Sequence, residues 1–216
     1  MPRPRTLTPE SIGAAALTVV DRGGLGALTI RAVAAELDVG AMSLYRYVSG
    51  RSEIEALVVE RVLSGMDGET DATLAWDRRI LALARRARDA ARAHPAASPL
   101  LVQHRHRAAG TLAWGEAVLG ALADAGLDTV SQVVAFRSLQ AFVFGTVLIE
   151  QHGPLAGSGT EQLAERAERH PHIAATATAA LALQADDVFD AGCELWIAGI
   201  AARPGAIRPT SGGRDR

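Results

Sequence analysis

Apolar residues recur along this chain at three- and four-residue intervals, and no stretch alternates apolar with polar at the two-residue period of a half-buried strand. The pattern predicts an all-α protein. Thr8 stands before Pro9 and Glu10, a good N-cap with proline in the first turn, and Ile12, Ala15, Ala16, Val19 and Val20 share one face. A first helix therefore opens at Thr8 and stops at Gly23-Gly24. A second follows Leu28-Thr29, placing Ile30, Val33, Ala34 and Leu37 on a narrow stripe, and ends in a turn at Val39-Gly40. A third covers residues 41–48, and a fourth begins near Gly50 to Ser52 and runs through Ile54, Leu57, Val58 and Val62 towards Met66. The Gly-, Asp- and Thr-rich stretch from Ser64 to Thr73 is the expected domain boundary. It separates residues 1–66 from a larger helical unit, 67–203, with helices expected over 75–93, 100–106, 111–124, 129–151, 160–169, 173–183 and 185–202. Breaks are expected at His94-Pro95, Gly126, Gly153-Pro154, Gly157-Ser158-Gly159 and His170-Pro171, and residues 204–216 read as a disordered tail.

The stretch LTIRAVAAELDVGAMSLYRYVSGR, from Leu28 to Arg51, reads as helix, short turn, helix. At about 100° per residue, Leu44, Val48 and Ala41 cluster on one side of the third helix, where they can pack on Val33, Leu37 and Val39. Met42, Ser43 and Arg46 then point outward, with Tyr45 and Tyr47 flanking them. Such a face can enter a major groove, its centre meeting base edges and its phenols the phosphates, although an aromatic on a short helix also serves packing. These residues, with Thr8 to Met66 around them, resemble the DNA-binding domain of the TetR family of one-component regulators. The resemblance implies that Thr29, Arg31, Tyr45, Tyr47 and Arg51 contact phosphates or adjoining bases, and that Ala41, Met42, Ser43 and Arg46 meet base edges. Independently, Arg51 falls at a helix N-terminus, where free N–H groups and the helix dipole favour a phosphate.

The residues beyond 66 are far more than a small DNA reader needs for its own stability. The expected helix 129–151 is apolar on two sides, through Val130, Val134, Ala141, Phe144 and Leu148 and through Phe136, Val143 and Val147. The last helix is apolar through Phe189, Cys193, Trp196 and Ile200 and again through Val188, Leu195 and Ala202. One side can be the chain's own core and the other a second copy, and Gly145, Gly192 and Gly199 can admit close helix packing; a larger monomeric core would look the same. This half is similar to the regulatory domain of tetracycline-repressor-like proteins, which implies a homodimer with a small-molecule effector site. His104 and Glu150 are the nearest counterparts of the histidine and glutamate that hold the drug chelate there, but the spacing differs around both. Trp76, Trp114, Gln140 and Phe144 are candidate pocket residues, or core residues. No metal or other cofactor is expected: His104 and His106 are about 200° apart on a helix and cannot chelate from one face, though on a loop they could, and they read as surface or cap histidines.

Composition narrows the class. With 49% hydrophobic and 21% charged residues the 216-residue chain is a globular protein with a packed core. The net charge of −2, with seven arginines and seven acidic residues up to position 66, does not itself announce a nucleic-acid partner. Local placement of Arg3, Arg5, Arg31, Arg46 and Arg51 must do so instead. The single Cys193, the lack of an apolar run at the N-terminus and uncharged stretches of only 12 residues (138–149) and 13 (173–185) lead us to expect a cytoplasmic protein without a bilayer span. No HExxH, Glu-x-x-His pair, phosphate loop or GxSxG supports an enzyme. The expected function is a transcriptional regulator, by family habit a repressor, that binds a palindromic DNA operator as a homodimer and is released by a small molecule. The alternatives are a DNA-binding regulator without such an effector and a helical-bundle enzyme.

Overall fold

The computed structural model describes residues 7–66, 68, 70, 71, 73–104, 108–151, 158–166 and 170–202. Among them every regular element is a helix. Arg3, Arg5, His106, the breaks at Gly153-Pro154 and Gly157, and the tail 204–216 lie outside the described residues.

Helix α1 spans Pro9–Ala27. Thr8 caps it reciprocally with Ser11: the Thr8 hydroxyl accepts from the Ser11 N–H at 3.2 Å, and the Thr8 N–H donates to Ser11 Oγ at 3.0 Å. The expected stop at Gly23-Gly24 is a kink, with Gly24 at φ 69° and ψ −179°, after which one more turn forms. Helix α2, Ile30–Glu36, starts on Thr29, whose hydroxyl accepts from the Ala32 N–H at 3.1 Å. Helix α3 is Ala41–Leu44, and α4 is Arg51–Leu63. The turn between α2 and α3 is made at Asp38, in the left-handed region at φ 56°, and not at Gly40, whose φ is −70°. Aspartate tolerates that conformation better than most residues.

The larger half comprises α5 (Trp76–Ala93), a 3-10 turn (Pro95–Ala97), α6 (Ser98–His104), α7 (Ala109–Asp124), α8 (Thr129–Glu150), α9 (Ser158–Arg166), α10 (Pro171–Ala180) and α11 (Ala185–Ala201). The sequence pattern finds every helix but not the 3-10 turn. It starts α6, α7, α9 and α10 about two residues late, because their first turns carry proline, glycine, serine or alanine instead of the apolar stripe, and Ser158-Gly159, expected in a break, open α9. Helix α5 is the centre, packing on α4, α7, α8 and α11. Among its arginines and aspartates runs a continuous seam of Ile80, Leu83, Ala84, Ala87 and Ala91, all fully buried. Trp114, Leu139, Val143 and Phe189 close over that seam. Helix α8 is long and apolar enough to cross a membrane by length and composition, with a mean hydropathy of 1.5, against the expectation that no stretch would be. Here it packs on α5, α7 and α11. Helices α9 and α10 pack on each other and make hardly any contact with the rest of the described chain.

Helix α4 joins the two halves through close backbone contacts. Gly13 of α1 lies so near α4 that a Cβ there would come within 2.9 Å of the Leu57 carbonyl oxygen. At the other end a Cβ on Gly110 of α7 would come within 2.0 Å of the Leu63 carbonyl oxygen. Ala108, the N-cap of α7, has no side chain to offer. The Glu60 carboxylate of α4 takes that role, accepting the Ala109 N–H at 2.8 Å. This packing gives a pair of substitutions opposite effects on stability. Gly120→Ala, in open space on the same helix, should gain up to about 1 kcal/mol from helix propensity. Gly110→Ala should instead lose about 2–3 kcal/mol, because α7 must lift off α4. Urea unfolding of both variants checks the sign and the size.

Candidate nucleic-acid interface

The first three helices sort their residues cleanly. Val33, Ala34, Leu44 and Val48 are buried, and Leu37, Val39 and Ala41 pack partly buried against them, as the periodicity required. Met42 is 78% exposed, Tyr45 53% and Tyr47 45%; Arg46 is exposed and Ser43 half-buried. Helix α3 is shorter than the expected 41–48: regular α-helix ends at Leu44, and Tyr45 to Val48 continue as turns bonded back to Ala41 and Leu44. Gly50 follows as the N-cap of α4, in extended backbone. Arg31 and Arg46 have no carboxylate partner among the described residues, whereas Arg22 of α1 is paired with Glu36 of α2 at 2.8 Å. The exposed face is therefore uncharged but for free arginine, and Thr29 keeps its hydroxyl hydrogen available while its oxygen caps α2.

Arg51 is differently placed. Its Nε donates to Glu55 Oε1 at 2.7 Å and its Nη2 to the Leu25 carbonyl at 3.0 Å, so the guanidinium ties the end of α1 to α4 while remaining half-exposed. Glu53 reaches back to the Ser49 N–H and hydroxyl, at 2.7 and 2.8 Å, steadying the entry into α4. An anion approaching this helix start would meet a cation already held in position.

In the larger half a groove of about 850 Å³ opens between α7 and α8. Leu112, Gly115 and Leu119 form one wall and Phe136, Gln140 and Phe144 the other. Of the six residues expected at an effector site, Gln140 and Phe144 border this groove; the structure assigns the other four different surroundings. Trp114 is fully buried behind it, its ring 5.6 Å from Phe136 and its Nε1 donating to the Leu83 carbonyl at 2.9 Å. Trp76 is half-buried at the start of α5. His104 is buried on α6, with Nε2 3.5 Å from Glu55 Oε2. Glu150 accepts from Arg88 Nη2 at 2.7 Å, so its carboxylate serves a buried ion pair. Arg88 also reaches Asp186 at 2.8 Å and lies 4.6 Å over the Phe189 ring. Burial opposes the charge on Arg88, but Glu150 and Asp186 outweigh it and raise its affinity for the proton. Bonds from Arg92 and Arg88 hold Asp186 below the usual carboxylate range, and a bidentate bond from Arg85 does the same for Asp190. Cys193 is fully buried beside this network, and desolvation pushes its thiol up to about 11.

Comparison with known proteins bears on both halves. Residues 70–203 match the family described as tetracyclin repressor-like, C-terminal domain. The chain belongs to the TetR family of transcriptional regulators. An HTH-type transcriptional regulator of Saccharopolyspora erythraea is 30% identical over 206 residues, covering 92% of this chain and 86% of that one. Apo ActR of Streptomyces coelicolor superposes with a TM-score of 0.82 at 26% identity, over 93% of this chain and 97% of that one. ActR has also been solved in complex with actinorhodin, where the TM-score is 0.79 over 91% and 99% of the two chains at 26% identity. BioQ, solved with its double-stranded DNA operator, shares the fold at 24% identity, with a TM-score of 0.67 over 92% of this chain and all of that one.

The first four helices are the part that the sequence made most legible. What the sequence missed are the residues that connect parts. Glu55 was detectable as the i+4 partner of Arg51. Glu60 and Gly110 were not, because their contacts, with Ala109 and Leu63, join residues 49 and 47 apart in sequence with no local signature. Arg88 and Asp186 are 98 residues apart, and in the arginine-rich α5 nothing distinguishes the buried Arg88 from its neighbours.

Proposed function

We propose that two copies of this chain bind a roughly palindromic operator in the cytoplasm as a repressor, and that a small, largely apolar effector releases them. The observation that carries this reading is the α2–α3 unit, in which buried Leu44 and Val48 turn Met42, Tyr45, Arg46 and Tyr47 outward beside an arginine-bearing helix start. In this reading residues 1–66 are the DNA reader, 67–203 the regulatory and dimerising part and 204–216 a tail. Thr29, Arg31, Tyr45, Tyr47 and Arg51 contact the phosphates, and Ala41, Met42, Ser43 and Arg46 the bases.

Exposed apolar side chains on α8 and α11 support the dimer: Val130, Val133, Val134 and Ile149 on the first, Leu195 at 77% exposure on the second. Exposed apolar side chains grouped on a helix surface mark a protein–protein contact when they form one patch. Gly192 serves the chain's own α8–α11 contact, since a Cβ there would meet the Phe142 ring at 2.5 Å, while Gly145 and Gly199 face open space. The groove bordered by Gln140 and Phe144 is the proposed effector site, consistent with the ActR complex. Its α7 wall is the helix that Glu60 caps and Leu63 touches. A ligand that shifts α7 therefore moves α4, and with it the separation of two recognition helices whose half-sites are fixed.

Selection from random duplex DNA should enrich an inverted repeat, and Met42→Ala or Arg46→Ala should change the preferred bases, each good contact being worth about 1–3 kcal/mol. Arg51→Ala should reduce the salt slope of binding by about one unit. A selection that enriches no motif refutes specific binding.

Leu195→Arg should convert the dimer to monomer in sedimentation at micromolar concentration, since a two-fold axis sets the charge against its own copy. Val147 is unsuited to that test because it is buried in the chain's own core. A wild-type species near 22.6 kDa would refute the dimer outright.

A bound effector should weaken operator binding by about 5- to 150-fold, and saturating operator should weaken effector binding by the same factor. Titration followed by tryptophan fluorescence, with Trp114 behind the groove, measures both arms. A molecule that binds equally tightly with and without operator would leave the DNA reader standing and remove the effector.

A further inference from the structure

His104 is the only buried histidine ring among the described residues whose Nε2 finds no hydrogen-bond partner. It ends α6, in the regulatory half, and it is 5% exposed. The nearest opposite charge is Glu55 Oε2 at 3.5 Å, within ion-pair range but not aligned as a hydrogen bond. The other oxygen of the same carboxylate accepts from Arg51 Nε at 2.7 Å. Glu55 is itself largely buried, its side chain 13% exposed, so water screens these charges weakly. Three side chains thus run in series from the end of α6 to the start of α4, and the last of them is half-exposed at the proposed DNA surface.

A carboxylate shared between two donors differs from one spent on a single cation. When His104 turns its Nε2–H towards Glu55, it fixes the rotamer of that carboxylate and takes part of its charge. Arg51 then keeps its aim, because Glu55 cannot swing, and keeps more of its own positive charge for a phosphate. Without a donor at position 104, Glu55 neutralises Arg51 more fully and is free to drag it. The route is electrostatic and runs through α6, separately from the contact of α7 with Glu60 and Leu63.

We infer that His104 is a positioning residue for DNA binding: through Glu55 it sets the aim and the free charge of the Arg51 guanidinium. The DNA limb of this inference rests on the proposed role of Arg51, but the link between the three side chains does not, and the experiment separates them. In uniformly 15N-labelled full-length protein without DNA, the Arg51 Nε–H signal is assigned by its loss in Arg51→Met. His104→Phe, which keeps a ring and removes both nitrogens, should move that signal and speed its exchange with solvent. His104→Gln, which restores an N–H donor, should bring it back towards the wild-type position. On the duplex enriched by the wild-type protein, His104→Phe should weaken binding by about 3- to 10-fold, and the loss should vanish in the Arg51→Met background. An Arg51 signal that stays in place in His104→Phe overturns the inference, and so does a binding loss of the same size with and without Arg51, which would make His104 a packing residue. If the wild-type protein enriches no duplex, the DNA reading of Arg51 fails, and the Arg51 signal alone decides whether His104 governs it. Should His104→Phe not fold, Glu55→Gln in the wild-type and His104→Gln backgrounds makes the same comparison: with the carboxylate gone, the Arg51 signal must become blind to residue 104.

Discussion

Helix α4 is gripped at both ends by neighbours that carry no side chain at the point of contact. Gly13 admits α1 against the Leu57 carbonyl, and Gly110 admits α7 against the Leu63 carbonyl. Backbone-to-backbone packing of this kind leaves no flexible atoms to absorb a displacement, so a shift of one helix must become a shift of the next. Helix α4 therefore couples the first helices at one end to α7 at the other by direct backbone contact. The Glu60 carboxylate, capping α7 from outside its own chain segment, adds a directional bond to the same junction.

The second constraint is charge. All basic side chains in this sequence are arginine, and the structure uses the planar fork of that group where a lysine would not serve. Arg85 binds Asp190 through two parallel bonds, and Arg88 spans Glu150 and Asp186 while lying on the Phe189 ring. These contacts fasten α5 to α8 and α11. The Arg88–Glu150 pair, the buried one of these, adds little net stability compared with apolar packing, but it penalises a register of α5 against α8 that would separate the two charges. Removing either partner would leave an uncompensated charge inside.

Helix number, helix type and the inward and outward faces of the reader were legible in the sequence because they follow from local periodicity and capping. Thr8, Thr29, Leu44 and Val48 stand where their chemistry places them. The kink at Gly24 was anticipated as a stop, and the turn expected at Val39-Gly40 takes its left-handed residue one position earlier, at Asp38. Such errors arise because glycine signals that a turn is permitted and not that it is used. The effector side was less legible. His104 and Glu150 were singled out as potential ligands, yet their partners are Glu55 and Arg88, residues that no spacing rule connects to them. Trp114 and Phe144 were alike in sequence; only the third dimension puts one behind the groove and the other on its wall.

The pairing of α9 with α10 has a thermodynamic consequence. The two helices bury their surface chiefly against one another, leaving Leu163 and Ile173 in solvent, whereas α5 is enclosed by four other helices. Opening the pair disturbs little else, so its free energy of opening is set by a two-helix contact and not by the global unfolding of the domain. Within one chain the fold thus contains two stability regimes, a cooperative body whose amides exchange only when it unfolds and an appendage that opens on its own account. Evolution can lengthen, shorten or resurface the appendage at little cost to the body.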